Sequence, residues 1–421
     1  MMQMEDNFNE FISNLQIDNF DDINNSLEGI AKKLNQKYYD NSTTENYLIV
    51  GSMGRNTSIK GESDIDVIYE LPDEVFERFD DYESNGQSQL LNEIRDTLKE
   101  KYPSTDIKGD GQVVVISITK YKIELVSGFK QENNSYKYPD THDGGSWKNT
   151  KPIPEIEEAN NMINNTSTYR DICQMIREWK ANNGVTICGL LIDTLVKNFL
   201  DDNSEYKWKS KDDYYILLKS VFKFLSEQDE DRKQWNAMGS NQIIENKNFN
   251  FIKKSKKAYN KLSNSTDESS TLRELFGSRF PISEQSANEY GHSYEEQFIE
   301  EIYPVYIMYS LKIDCEITQN GFRTGLLSEF IKKKFMIKQN RKLKFMIVEN
   351  DIPKPYEIYW KVRNVGYEAN RRNCIRGQIK KGMEYLSEST NFYGPHYVEC
   401  YIIKDGICVA RDKISVNIDY D

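Results

Sequence analysis

The sixteen residues from Gly51 to Asp66, Gly-Ser-Met-Gly-Arg-Asn-Thr-Ser-Ile-Lys-Gly-Glu-Ser-Asp-Ile-Asp, hold side chains suited to phosphate chemistry. Residues two apart in a strand share a face, so Asp64 and Asp66 present both carboxylates to one point. Carboxylates so placed repel unless cations lie between them, and hard Mg2+ or Mn2+ takes oxygen ligands together with triphosphate oxygens. Two such ions activate an attacking hydroxyl and stabilise a leaving pyrophosphate. Glu124, flanked by Ile123 and Leu125 on the second strand of an expected hairpin, is the candidate third metal ligand. The Gly51-Ser52 turn offers backbone N–H groups, and Ser52 a hydroxyl, to a phosphate. An isolated D-x-D is usually a solvated strand edge. Here a Gly-Ser turn ends one apolar strand, Arg55 follows, and the acidic pair opens the next.

These residues need a frame. Apolar positions from Asn7 to Tyr39 recur at helical spacing and predict two helices. Strands are expected at Tyr47–Val50 and Ile65–Tyr69, a helix at Leu90–Lys101, and a hairpin from Val113–Ile118 and Tyr121–Val126. From Tyr169 to Leu200 the pattern is helical, with further helices over Tyr214–Leu225 and Asn250–Leu262. Alternation then takes over, at Val305–Ile307, Leu343–Val348, Tyr356–Val362, His396–Ile403 and Ile407–Ile418. The expected class is α+β: a mixed lobe over residues 1–165, a helical lobe over 166–280, a linker over 281–304 and a separate β-rich domain over 305–421.

The Gly51–Asp66 string resembles the signature of the CD-NTases, and among them the second-messenger oligonucleotide or dinucleotide synthetases (SMODS). Similar stretches are Gly144–Lys148, Ile176–Lys180, Gly189–Leu195 and Trp235–Gln242, so the likeness spans most of residues 1–280. The resemblance implies a polymerase-β-like nucleotidyltransferase lobe facing a helical lobe across a cleft, with Asp64, Asp66 and Glu124 on Mg2+ or Mn2+. The family more often has Asp at the third position, so Glu124 is a departure. Gly51, Ser52, Arg55, Arg177, Lys180 and Ser240 are then the expected nucleotide contacts, Arg177 and Lys180 from the helix lining the cleft. Tyr356–Ala369, Ile375–Ile379 and Gly394–Tyr401 resemble the C-terminal sensor domain of adenylyl or guanylyl cyclase-like and SMODS proteins. Trp360 is expected to stack on a ligand base there, with Lys361, Arg363 and Arg376 at its phosphates.

Composition narrows the function. The net charge of -12 disfavours extended nucleic acid, yet from Tyr306 to Asp421 there are 20 Lys and Arg against 14 Asp and Glu, while the rest holds 35 against 53. The C-terminal region is the better place for an anion. Six cysteines without a C-x-x-C pair, three histidines, and no apolar leader or long apolar run point to a reduced, cytoplasmic protein without structural zinc or membrane attachment. The expected activity joins ATP, GTP or other triphosphates into a cyclic di- or trinucleotide that acts on a separate effector in CBASS-type anti-phage defence. Two rivals stand beside it: synthesis of linear oligomers or modification of an RNA or protein acceptor, and a catalytically quiet nucleotide sensor.

Overall fold

Helices α1 (Met4–Asn14) and α2 (Phe20–Tyr38) open the chain, each with one apolar face. The first lobe continues through β1 (Tyr47–Ile49), the single turn α3 (Gly51–Gly54), β2 (Asp64–Glu70), α4 (Asp73–Asp80) and α5 (Gly86–Lys101). Strands β3 (Asp106–Asp110), β4 (Val113–Ile118), β5 (Tyr121–Lys130), β6 (Tyr136–Asp140) and β7 (Ser146–Thr150) complete it. This computed structural model describes residues 4–62, 64–118, 121–281, 296–318, 324–332, 337–338, 341–365, 369, 371–372, 374–390 and 394–419. Most of the expected linker, residues 282–295, lies outside that set.

The strands form one sheet in the order β1-β2-β5-β4-β3, extended by β6 on β5 and β7 on β6. Only β2 and β5 run parallel. Alternation gives these two central strands different duties on their two faces. Ile65, Val67, Ile123 and Leu125 join Leu27, Leu34, Leu90 and Ile94 in a core under α2 and α5. Asp64, Asp66 and Glu124 belong to the opposite face.

The second lobe comprises α6 (Pro152–Asn164), α7 (Tyr169–Asn183), α8 (Gly189–Asp202), α9 (Tyr214–Ser226), α10 (Phe251–Ser263) and α11 (Glu268–Phe276). A small hairpin of β8 (Gln234–Asn236) and β9 (Ile243–Glu245) precedes α10. In α7 the apolar side chains Ile172, Met175, Ile176 and Trp179 recur every three or four residues, and all are buried. Although α1 comes first in sequence, its Phe8 and Phe11 are wholly buried in this helical core, against Phe276 and Phe280. Each such ring contributes roughly 1.5–3 kcal/mol by leaving water.

The third unit has β10 (Leu311–Thr318), β11 (Gly325–Leu326), α12 (Leu327–Lys332), β12 (Ile337–Lys338), β13 (Lys342–Asn350) and β14 (Glu357–Asn364). It ends with β15 (Arg376–Gly382), β16 (Tyr385–Ser389), β17 (Gly394–Lys404) and β18 (Ile407–Asp419). Two sheets, β11-β10-β13-β16 and β12-β18-β17-β14-β15, enclose one core containing Ile313, Phe345, Trp360, Val398 and Cys400. The α+β class and the separate β-rich end expected from the sequence are what the structure has. Two readings change. The expected strand Val305–Ile307 is a single parallel bridge, Val305 to Cys408, and part of the expected linker, Ile299–Ile302, is a helical turn with Ile299 buried.

A buried ion cluster joins the first two lobes. Asp193 of α8, wholly buried, accepts from Arg55 Nε at 2.7 Å, from Thr57 Oγ1 at 3.0 Å, and from both Arg177 Nη atoms at 2.7 and 3.0 Å. Arg55 and Thr57 follow the turn that leads to the acidic strand, so the cluster sets where that turn meets α7 and α8. Removing the anion strands two buried cations. Asp193→Ala should therefore destabilise the protein by about 3–5 kcal/mol. A denaturant titration reads this, and a loss below about 1 kcal/mol would contradict it.

Candidate functional site

Asp66 of β2 stands in register with Glu124 of β5, and Asp64 lies two residues before Asp66 on the same strand. In-register residues of adjacent strands point to one side, so the three carboxylates share a face. Burial first, and then the neighbouring Asp64, push the Asp66 carboxyl up to about 6. Glu124 is pushed up to about 7, again by burial and then by Asp64 and Asp66. Two carboxyls whose ionisation is suppressed by burial and by neighbouring acids are an arrangement that cations relieve.

Among the described residues no group of three or more acidic, thiol or imidazole side chains, Asp64, Asp66 and Glu124 included, is close enough to hold a metal ion by itself. The fit to divalent ions is of another kind: an all-oxygen donor set on one wall of an open cleft, where phosphate oxygens and water complete each shell. The cavity before this wall measures about 510 Å3, within the usual range for small-ligand sites.

Gly51 explains why the turn begins as it does. Its φ is +63°, and a Cβ placed there would lie 2.0 Å from Asp66 Oδ2, so both conformation and contact demand glycine. Ser52 lines the same cavity and donates its hydroxyl to Glu62 Oε2 at 2.9 Å. Lys180, near the end of α7, also lines it and meets no carboxylate within ion-pair distance among the described residues. Burial lowers its ammonium below the ordinary lysine value. Of the cationic candidates, Lys180 is the one left open to a triphosphate.

Other expected contacts are already engaged. Arg55 and Arg177 also reach the cavity lining, and Asp193 accepts from Arg55 through Nε and from Arg177 through both Nη atoms, so both also support the cleft. Ser240 lies outside the cavity lining and donates to Glu155 Oε1 at 2.7 Å. The cavity lining thus brings together Gly51, Ser52, Asp64, Asp66 and Lys180, whereas Glu124 stands in register with Asp66 without being one of its lining residues, and Ser240 lies elsewhere.

Several lining residues escaped sequence reasoning. Glu62 does so although it sits inside the motif, because its bond to Ser52 and its place 3.5 Å from Arg177 Nε are tertiary facts. Lys247 and Phe249 approach from the segment before α10. Tyr306 comes from beyond the helical lobe, and its phenol is pushed up by burial and then by the field of Asp64, Asp66 and Glu124.

The expected C-terminal site divides in two, because successive residues of β14 face opposite ways. Trp360 belongs to the core between the sheets and donates Nε1–H to the Met383 carbonyl at 2.8 Å, so it is not a free stacking platform. Arg376 is paired with Glu388 on that side. Lys361 and Arg363 face a different cavity of about 320 Å3 between β14, β17, β18 and α11, where both meet Glu296. Arg273, Lys413 and Tyr397 line it too.

Residues 2–162 match the family model of the Second Messenger Oligonucleotide or Dinucleotide Synthetase domain, and residues 293–419 that of the Adenylyl/Guanylyl and SMODS C-terminal sensor domain. No curated protein matches the chain. Among solved structures it is similar to E. coli CdnC with ATP, at 12% identity and TM-score 0.49, over 66% of this chain and 98% of that one. It is also similar to Vibrio cholerae DncV cyclic AMP-GMP synthase with a linear intermediate, at 15% identity and TM-score 0.45, over 56% and 70%.

The raised carboxyls have a consequence in metal-free solution. Between the ordinary carboxylate range and about pH 7 the folded chain binds more protons here than the unfolded chain does. The associated stability is present at low pH and is lost as pH rises through about 6 to 7. The melting temperature of wild type should fall more steeply from about pH 5 to about pH 8 than that of Asp66→Asn/Glu124→Gln. Parallel slopes would contradict the cluster's repulsion.

Proposed function

We propose, of a chain that belongs to the second-messenger oligonucleotide or dinucleotide synthetases and carries their associated C-terminal sensor domain, that it makes a cyclic di- or trinucleotide. It is a nucleotidyltransferase of the CD-NTase type. We read it as a catalytic lobe over 1–165, a helical lobe over 166–280, a linker over 281–304 and a C-terminal domain over 305–421. The observation that carries the reading is the pair Asp64 and Asp66 at the wall of a nucleotide-sized cleft, with Glu124 of β5 in register with Asp66.

In each transfer a sugar hydroxyl of one nucleotide attacks the α-phosphorus of another. The bond from that phosphorus to the bridging oxygen breaks, pyrophosphate leaves, and the hydroxyl proton passes to solvent. Asp64, Asp66 and Glu124 would hold Mg2+ or Mn2+, which when bound supplies the positive charge that acidifies the hydroxyl and offsets the leaving group. The Gly51-Ser52 turn offers its N–H groups to the phosphates, and Lys180 balances their charge from α7. Asp193 keeps that turn and that helix in register through Arg55 and Arg177. Ring closure repeats the same attack within the linear intermediate.

The product would act on a separate effector in CBASS-type anti-phage defence inside the cytoplasm. Among the described residues no helix is long and apolar enough to cross a membrane. The surplus of cations in the cavity of Lys361, Arg363, Arg273 and Lys413, beside Tyr397, suits a nucleotide ligand at the C-terminal domain.

Full-length protein incubated with pairs of triphosphates and Mg2+ or Mn2+ should release pyrophosphate and yield a phosphatase-resistant product by mass spectrometry. Asp66→Ala should lower release at least about a hundredfold while still binding nucleotide at the C-terminal cavity. Release undiminished in that folded variant would overturn the role of Asp66, phosphatase-sensitive products would favour a linear oligomer, and absence of a second binding event would remove the C-terminal ligand.

A further inference from the structure

The catalytic cleft has a wall that neither nucleotidyltransferase lobe supplies. Pro304 to Met308 run along β18 of the C-terminal domain, clamped by three main-chain hydrogen bonds. Cys408 N–H donates to the Pro304 carbonyl at 2.9 Å, Tyr306 N–H to the Cys408 carbonyl at 3.0 Å, and Met308 N–H to the Val409 carbonyl at 3.0 Å. From this clamp Tyr306 enters the cavity that Asp64, Asp66, Ser52 and Lys180 line. Its ring centroid lies 5.4 Å from Lys180 Nζ, within reach of a cation–π attraction.

The clamp is held firmly against α7, the helix that carries Lys180. Gly184 caps the C-terminus of α7 with φ +60°, and a Cβ there would lie 1.9 Å from the Arg411 carbonyl oxygen of β18. One residue further along β18, Asp412 pairs with Lys254 of α10 at 2.9 Å. Lys180 and Tyr306 thus come from two units whose backbones touch, and neither can shift without disturbing that contact.

Space decides between a plug and a wall. With Tyr306 in position the cleft still contains about 510 Å3, enough for a nucleotide in a site of this class. A phenol keeps its proton at neutral pH and can donate one hydrogen bond, and an ionised phosphate is the acceptor that rewards it most.

We propose that Tyr306 is a substrate-binding residue of the nucleotidyltransferase, donated by the C-terminal domain, whose hydroxyl bonds to the nucleotide's phosphates beside Lys180. The inference rests on the proposed nucleotide chemistry of this cleft and adds to it that the C-terminal domain completes the active site. The β18 clamp then makes the position of Tyr306, and through it nucleotide affinity, depend on how that domain is seated.

Full-length wild type, Tyr306→Phe and Tyr306→Ala provide the test. Affinity for a non-hydrolysable ATP analogue with Mg2+ is measured together with kcat and KM for pyrophosphate release and with the melting temperature. Loss of a hydrogen bond to a charged group should weaken analogue binding and raise KM by about tenfold in Tyr306→Phe. Its kcat should stay within about threefold and its melting temperature close to wild type. Tyr306→Ala, which also loses the ring, should be weaker still. Affinity and KM within twofold of wild type in Tyr306→Phe, or tighter binding or faster turnover in either variant, would overturn the proposal, the last identifying a plug. Wild type that binds the analogue but releases no pyrophosphate would instead defeat the proposed reaction, leaving the affinities to judge Tyr306.

Discussion

Mutual repulsion among Asp64, Asp66 and Glu124 is the constraint around which the first lobe is organised. The parallel register of β2 and β5 puts the three carboxylates on one face, and partial burial weakens the solvent screening of Asp66 and Glu124. Such a face is costly to keep unless positive charge comes to it. Apolar residues on the reverse of the same strands anchor the sheet under α2 and α5, so the acids cannot relax by turning a strand over.

The rest of the cleft follows from where that face must point. Asp193 gathers Arg55 and Arg177 into a buried cluster and thereby sets the glycine turn against the helical lobe. Gly51 lets the turn pass within contact of Asp66. Lys180, one helical turn beyond Arg177, lines the cavity and meets no carboxylate within ion-pair distance among the described residues. The contrast between two cations on one helix comes from their partners and not from their own chemistry: both line the cavity, but of the two only Arg177 donates to Asp193, through both Nη atoms.

Much of this was legible in the chain and some was not, for physical reasons. Period-two alternation around Ile65 and Ile123 is local, so the strands and the outward aim of the acids could be read directly, and the hairpin from β4 to β5 put Glu124 within range. Helix α4 went unread because it spans about two turns, and α6 because its buried positions, Pro152, Glu155, Ala159 and Met162, carry few strongly apolar side chains. Ionic partners are long-range: Arg55 and Asp193 lie 138 positions apart, and nothing in either segment shows that they meet. Trp360 in an alternating strand fits a core position and a stacking platform equally well until the second sheet is known to cover it. Tyr306, in a segment read as an ordinary strand, enters the cleft only because β18 docks on α7.

Binding of Mn2+ to the full chain with a non-hydrolysable triphosphate analogue, followed by electron paramagnetic resonance, tests the central claim most directly. Wild type should take up two ions per chain in a nucleotide-dependent manner, and Asp64→Asn, Asp66→Asn and Glu124→Gln should each weaken or abolish that uptake without unfolding the protein. Equal stoichiometry and affinity in wild type and all three variants would contradict it.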